Sequence, residues 1–104
     1  MDVQLKRGVL EICVLSAMLS EETYGYELIK KISPYVEISE STLYPILRRL
    51  ETGGFVRVRS AEHNGRRRKY YSITADGKKK IREFLTDWAD IVKIYEFIKG
   101  EYNE

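Results

Sequence analysis

One stretch of the chain combines a buried helical stripe with a polar face, and it constrains the fold more than any other. Residues 39–54 read S-E-S-T-L-Y-P-I-L-R-R-L-E-T-G-G. The apolar residues recur at the spacing of an amphipathic helix, and they are Leu43, Ile46, Leu47 and Leu50. Ser39 or Ser41 can cap the start of this helix. Gly53 and Gly54 can end it, because glycine adopts the left-handed conformation of a C-terminal cap without steric cost.

The other side of this predicted helix carries hydroxyl, aromatic and guanidinium groups. Ser41, Pro45, Arg48 and Thr52 lie opposite the leucine stripe, with Tyr44 on one flank and Arg49 on the other. The candidate DNA-binding residues of this helix are Ser41, Thr42, Tyr44, Arg48 and Arg49. A short capped helix that presents arginines and hydroxyls is typical of a helix that reads the major groove of DNA. Taken alone, the same pattern also fits an ordinary amphipathic helix with a solvated face, so the rest of the chain must decide.

Basic residues are concentrated in this part of the sequence. The 104-residue chain has a net charge of only +2. Residues 41–80, however, contain 11 Lys or Arg and 3 Asp or Glu, a net charge of +8, whereas the remaining residues contain 7 and 13, a net charge of −6. Phosphate binding needs lysines and arginines on one side of a protein, so this distribution indicates a nucleic-acid partner, double-stranded DNA in particular.

Length and composition limit the other functions. A chain of 104 residues with 43% hydrophobic content is one domain, with at most an appended element. The apolar run 9–19 contains Glu11 and is too short to span a bilayer, so we expect neither a membrane segment nor a signal peptide. Cys13 and His63 are the only cysteine and histidine. We therefore expect a reduced, cytoplasmic protein with no catalytic site, metal or cofactor.

Two helices are predicted before the arginine-bearing one. The first covers residues 5–19 and is apolar on all sides, so it must be covered from two directions. The second starts after Thr23 as cap and ends at Pro34, and Gly25 at its start would let another backbone approach closely. Its inward stripe consists of Tyr24, Leu28, Ile29 and Ile32. Two short helices of which the second carries the arginines form a helix-turn-helix.

After Gly54 the apolar period changes from 3.6 to 2. Val56 and Val58 alternate with arginines, and Tyr71 and Ile73 alternate with Tyr70 and Ser72. This alternation predicts two short strands. Asn-Gly at 64–65 is a tight-turn signal, so the strands form a hairpin. Its basic residues are Arg66, Arg67, Arg68 and Lys69. Such a run is often only solvated, but here it favours the wing of a winged helix-turn-helix that reaches phosphates or a narrow minor groove.

A last helix is predicted from Ala75, capped by Thr74, to about Ile98. Its apolar residues follow a heptad pattern, and they are Ile81, Phe84, Leu85, Trp88, Ile91, Val92, Tyr95 and Ile98. Because the winged helix has its own core, we predict that these residues form a homodimer interface together with the uncovered face of the first helix. Packing onto the first helix of the same chain is the alternative.

Four motifs identify a resemblance to a known family. They are L-K-R-G-V-L-E from Leu5, T-Y-G-Y-E-L-I from Thr23, S-T-L-Y-P-I-L-R-R-L-E from Ser41, and G-R-R-R-K-Y-Y-S-I-T from Gly65. With them the chain resembles the PadR family of bacterial transcriptional regulators over essentially its whole length. The resemblance implies a mainly α fold with a small β-hairpin, in which a winged helix-turn-helix at 1–74 binds DNA and a helix at 75–104 dimerises.

The same resemblance implies a mechanism and a candidate effector site. It implies a homodimer that represses by occupying a promoter, with Tyr44, Arg48 and Arg49 on the recognition helix and residues 66–69 on the wing. The single terminal helix resembles the short subgroup of the family. Trp88 matches a tryptophan that in multidrug-responsive members faces its symmetry mate, which implies a small apolar or aromatic effector. The alternative is that Trp88 packs in a closed hydrophobic core.

Another function remains open at this point. A winged helix can serve as a protein-interaction module that makes no sequence-specific contact with DNA. The concentration of basic residues at 41–80 argues against that alternative. The sequence does not identify the operator, the regulated genes or the effector, nor does it separate repression from activation.

Overall fold

The fold is a helix-turn-helix followed by a hairpin and a long helix. A computed structural model describes residues 1–103 and contains four helices and two strands in that range. In chain order they are α1 (Val3–Ala17), α2 (Gly25–Ile32), α3 (Glu40–Thr52), β1 (Val56–His63), β2 (Arg66–Ile73) and α4 (Ala75–Tyr102). The two strands pair antiparallel as a two-stranded sheet. The predicted fold class, a mainly helical winged helix with a small hairpin, is confirmed.

The core lies where the first three helices meet the base of the hairpin. The apolar stripe of α3 is central to it, since Leu43, Ile46, Leu47 and Leu50 are each at most 2% exposed. Val14 and Leu15 of α1 and Leu28 of α2 are completely buried in the same cluster. Burying a leucine side chain contributes about 2–3 kcal/mol, so α3 is held firmly with its opposite side facing outward.

Both glycines at the end of α3 have a defined role. Gly54 has φ of 79°, the left-handed conformation, while Gly53 remains right-handed at −77°. The amide of Phe55 donates to the carbonyl of Leu50 at 2.9 Å, and the amide of Gly54 donates to that of Glu51 at 3.0 Å. This pair of hydrogen bonds is the Schellman motif, which satisfies carbonyls that the helix end leaves open.

The segment before α2 differs from its prediction. Thr23 is not the helix cap, because α2 starts one residue later and its N-cap is Tyr24. Instead, the backbone of Thr23 pairs with that of Tyr71 on β2, through hydrogen bonds of 3.0 and 2.7 Å. Gly25 is approached by a side chain rather than a backbone, since the ring and hydroxyl of Tyr44 lie against it. The start of α2 is thereby fixed to both the wing and α3.

The hairpin is longer than the sequence pattern indicates. Both strands are eight residues long and continue to the turn at Asn64 and Gly65. These residues have φ of 51° and 78°, as a type I′ two-residue turn requires. The basic residues 66–69 therefore lie on β2 rather than in a flexible loop.

The long helix α4 begins inside the core and then leaves it. Thr74 caps the helix as predicted, since its hydroxyl accepts from the amide of Gly77 at 3.1 Å. Gly77 and Ile81 are buried. Ile81, which we predicted in the dimer interface, lies instead in the core of the winged helix at 7% exposure. Within residues 1–103, no helix is both long and apolar enough to cross a membrane.

Candidate nucleic-acid interface

The outward side of α3 presents the polar groups that the sequence predicted there. Ser41, Thr42, Tyr44 and Arg48 are all exposed. The hydroxyl of Ser39 lies 2.9 Å from that of Ser41 and 3.2 Å from that of Thr42, instead of capping the helix through a backbone amide. A cluster of three hydroxyl groups therefore stands at the N-terminus of α3, the end of a recognition helix that contacts base edges in helix-turn-helix proteins.

Arg49 does not lie on this surface with the others. Its Nε donates to a carboxylate oxygen of Glu11 on α1 at 3.1 Å, and the two side chains are 38% and 21% exposed. A partly buried, hydrogen-bonded ion pair of this kind joins two helices. Arg49, predicted to bind DNA, is engaged with α1, so Arg48 is the only arginine on the outward side of α3.

A cleft joins α3 to the wing. It has a volume of about 610 Å³ and opens to the surface. Its lining residues come from the start of α2, from α3 and from the hairpin, and they are Tyr24, Gly25, Tyr26, Tyr44, His63, Asn64, Arg66, Arg67, Arg68, Lys69 and Tyr71. The structure therefore places Tyr44 of α3 beside all four basic residues that were predicted on the wing.

Tyr71 shows that the polar side of α3 also lies close to the base of the cleft. Burial raises the pKa of the Tyr71 phenol, and the neighbouring Tyr44 and Glu51 raise it further. Arg48 acts in the opposite direction, because a positive charge stabilises the phenolate. Tyr44 of α3 and Tyr71 of β2 both line the cleft, so the helix and the strand lie side by side at its base.

The four basic residues of β2 point to two faces of the hairpin. Successive side chains of a strand alternate, so Arg66 and Arg68 share one face, and Arg67 and Lys69 share the other. Arg66, Arg67 and Lys69 are exposed, but Arg68 is partly buried. Arg67 lies directly opposite Glu62 on β1. Exposed arginines on a twisted hairpin can reach phosphates on either side of a groove.

A second ion pair was missed by the sequence analysis. Arg59 of β1 donates from Nε and Nη2 to the two carboxylate oxygens of Glu22, at 2.7 and 2.5 Å. The hydrogen bond from Arg59 holds the pKa of the Glu22 carboxyl below its ordinary value, although desolvation opposes this shift. The partners are 37 residues apart, and no local pattern signals such a contact.

The heptad residues of α4 beyond the core lie on the surface. Leu85, Trp88, Ile91, Val92, Tyr95 and Ile98 are between 37% and 60% exposed. Phe84 is partly buried, and its ring stacks on that of Trp88 with centroids 5.6 Å apart and an angle of 19°. A groove of about 440 Å³ lies beside Trp88, between α4 and the first half of α1. Its charged lining residues are three acidic ones, Glu11, Glu83 and Asp87, and one basic one, Lys80.

The single cysteine lies apart from these surfaces, whereas the single histidine lines the cleft. Cys13 packs against the core, and burial raises the pKa of its thiol. His63 is exposed at the end of β1. In the part of the chain that the structure describes, no group of three His, Cys, Asp or Glu side chains could hold a metal ion.

Comparison with known proteins assigns this arrangement to a family. Residues 14–83 match the sequence profile of the transcriptional regulator PadR-like family. The chain belongs to this family. This PadR-like protein is 34% identical over 100 residues to an uncharacterised protein of Lysinibacillus sphaericus. The alignment covers 90% of this chain and 92% of that protein.

Solved structures of PadR proteins share the fold. A PadR family transcriptional regulator from Eggerthella lenta superposes with a TM-score of 0.83 at 33% identity, over 92% of this chain and 86% of that one. Bacillus subtilis PadR, solved in complex with operator DNA, has the same fold with a TM-score of 0.70 at 24% identity, over 74% of this chain and 47% of that one. The PadR-like protein is thus a winged-helix transcriptional regulator that binds DNA, and not an enzyme.

Proposed function

We propose that this PadR-like regulator is a homodimeric repressor that binds an inverted-repeat operator. The observation that carries the proposal is the cleft between α3 and the wing, which sets Tyr44 beside residues 66–69. A duplex that lies along this surface would meet the N-terminal half of α3 and the hairpin together. Bacillus subtilis PadR, a distant relative with the same fold, binds operator DNA.

The residues of the surface divide into two roles. Ser41, Thr42, Tyr44 and Arg48 would enter the major groove, where an arginine can make two hydrogen bonds to one guanine. Arg66, Arg67 and Lys69 would contact phosphates or a narrow minor groove, because they are exposed and positively charged and lie on the strand β2 of the wing. Arg49 is left out of both groups, because Glu11 holds it against α1.

Dimerisation is proposed through α4. Beyond Phe84, this helix carries large apolar side chains that are each at least 37% exposed in the described part of the chain, and they occur over most of its remaining length. The chain is also elongated, at 63 × 26 × 21 Å, because α4 extends away from the core. Pairing of two such helices about a two-fold axis would bury their apolar faces and present two copies of α3, and DNA half-sites lie about 34 Å apart for dimers of this type.

A small effector would bind in the groove beside Trp88. The groove combines the stacked rings of Trp88 and Phe84 with the carboxylates of Glu83 and Asp87. A planar apolar molecule would gain buried area there, and a planar cation would also gain cation–π and charge attraction. Release from DNA would follow if the ligand favoured a dimer geometry unsuited to the operator. The closed apolar core is the competing arrangement for Trp88.

Salt dependence of DNA binding tests the proposed surface without knowledge of the operator. Binding to a fluorescent duplex of arbitrary sequence is measured by anisotropy between about 50 and 200 mM salt. Each phosphate contact contributes about −0.9 to the slope of log affinity against log salt, so Arg67→Ala should make the slope shallower by about one.

The matched control is Arg82→Ala, since Arg82 is an exposed arginine of α4 that does not line the cleft. This variant should keep the slope of the wild type. Equal slopes for all three proteins would contradict the proposed surface.

A further inference from the structure

A chain of stacked side chains links the wing to the segment in front of α2. The guanidinium of Arg68 lies over the ring of Tyr24, 3.8 Å from its centroid. The ring of Tyr24 meets that of Tyr70 edge to face at 5.9 Å. Arg59 lies over Tyr70 at 4.6 Å and is held in turn by Glu22. We call these five residues, Glu22, Tyr24, Arg59, Arg68 and Tyr70, the wing anchor.

Further hydrogen bonds hold the segment that carries Tyr24. The hydroxyl of Tyr24 donates to Glu27 of α2 at 3.2 Å. The residue before Tyr24 is Thr23, whose amide and carbonyl both pair with Tyr71 of β2. The backbone bridge sets the distance between the strand and the α2 segment, and the stacked rings set the direction in which the hairpin leaves it.

Arginine suits the position of Arg68 for a physical reason. A planar guanidinium can lie flat on an aromatic ring, whereas the ammonium of lysine is a compact, strongly hydrated charge. Arg68 also differs from its neighbours Arg66, Arg67 and Lys69 in being partly buried. Its stacked geometry and its burial both indicate a role inside the protein rather than on DNA.

We propose that Tyr24 and Arg68 are positioning residues, which orient the wing for DNA binding without touching the DNA. This inference rests on the proposed function, because it assumes that the exposed residues of the wing bind DNA. A hairpin that is already held in place loses little conformational freedom when it binds, so its contacts yield more net affinity. A wing without its anchor would have to be ordered by the DNA itself.

Hydrogen exchange of the DNA-free protein tests the anchor alone. Tyr24→Leu removes the aromatic face and keeps an apolar side chain. It should raise the exchange rates of the amides at 59–61 and 68–70 about five- to tenfold, because loss of a single cation–π contact lowers the free energy of local opening by a corresponding amount. Tyr24→Phe keeps the ring and should stay close to the wild type. Tyr35→Leu changes a tyrosine that is 88% exposed and should leave the wing unaffected.

DNA affinity then separates positioning from direct contact. Arg68→Lys keeps the positive charge, so a direct phosphate contact would survive this change nearly intact. Positioning predicts instead that Arg68→Lys and Tyr24→Leu each weaken binding to the same duplex about fivefold, as loss of a cation–π contact would. Positioning also predicts that the double variant binds DNA as tightly as the single variant with the lower affinity, because both changes remove the same contact between Arg68 and Tyr24.

Three results would overturn the inference. The first is unchanged exchange of the wing amides in both Tyr24→Leu and Arg68→Lys. The second is wild-type DNA affinity for Arg68→Lys, and the third is a double variant whose loss of affinity is the product of the two single losses. Failure of the wild-type protein to bind any duplex would reject the proposed function instead, and the exchange data would still report whether the anchor holds the wing.

Discussion

Replacing Gly77 by alanine is expected to destabilise the protein, although a change from glycine to alanine at an exposed position inside a helix stabilises the helix by about 1 kcal/mol. Gly77 lies in the first turn of α4, where the helix packs on the base of the hairpin. A Cβ at this position would collide with the carbonyl oxygen of Phe55 and would come within 2.6 Å of Cγ1 of Ile73. The backbone oxygen cannot turn aside as a flexible side chain could.

The size of the effect follows from three contributions. Overpacking a fixed contact costs about 1–3 kcal/mol. The carbonyl of Phe55 also accepts a hydrogen bond from the amide of Thr74 at 3.1 Å, and its displacement would cost about 1 kcal/mol more. The gain in helix propensity of about 1 kcal/mol offsets part of this, which leaves a net loss of about 2 kcal/mol.

Urea unfolding followed by circular dichroism measures this difference. Gly100→Ala is the matched control, because it lies in the same helix and a Cβ there would meet nothing within 4 Å. The control should be unchanged or slightly more stable, and Gly77→Ala should lose about 2 kcal/mol at the same protein concentration. Equal or higher stability of Gly77→Ala would refute the close packing of α4 on the wing.

Four further predictions concern the site and the surfaces around it. Arg48→Ala should weaken specific DNA binding by about 1–3 kcal/mol in a titration, and an unchanged affinity would remove Arg48 from the interface. Ile91→Asp should convert a sedimenting dimer into a folded monomer, because it places a charge among the exposed apolar residues of α4, and a monomeric wild type or a dimeric variant would contradict the proposed interface. Cys13 should react slowly with iodoacetamide at pH 8 until urea unfolds the chain, because burial raises its pKa and the thiolate is the reactive form; equal rates would contradict this burial. The emission of Trp88 should change with planar aromatic cations if the groove binds them, and a panel without effect at high micromolar concentration would favour the closed core.

The elements with strong local signals were predictable from the sequence. The leucine stripe of α3 has a clear period, and Gly54 supplies the left-handed residue that ends the helix. The turn at 64–65 was also predictable, because few residues other than Asn and Gly tolerate two positive φ angles in succession. The exposed positions of Ser41, Tyr44 and Arg48 follow directly from the α3 stripe.

The rest depends on contacts between distant residues. Arg48 and Arg49 are neighbours in sequence, and only the fold brings Glu11 within reach of Arg49, which removes it from the DNA surface. Thr23 has the chemistry of a helix cap, yet pairing with β2 determines its conformation. Ile81 belongs to the same heptad pattern as the exposed residues of α4. Packing into the core and pairing with another helix both require apolar residues at this spacing, so the pattern does not distinguish the two roles.

Selection of binding sites from a pool of random duplexes tests the central claim most directly. A two-fold dimer that presents two copies of α3 should enrich an inverted repeat whose half-sites are about 10 base pairs apart, and Arg48→Ala should lose the preference at one position of each half-site. Enrichment of no sequence, or of a single site without symmetry, would contradict the account of a dimeric, operator-binding regulator.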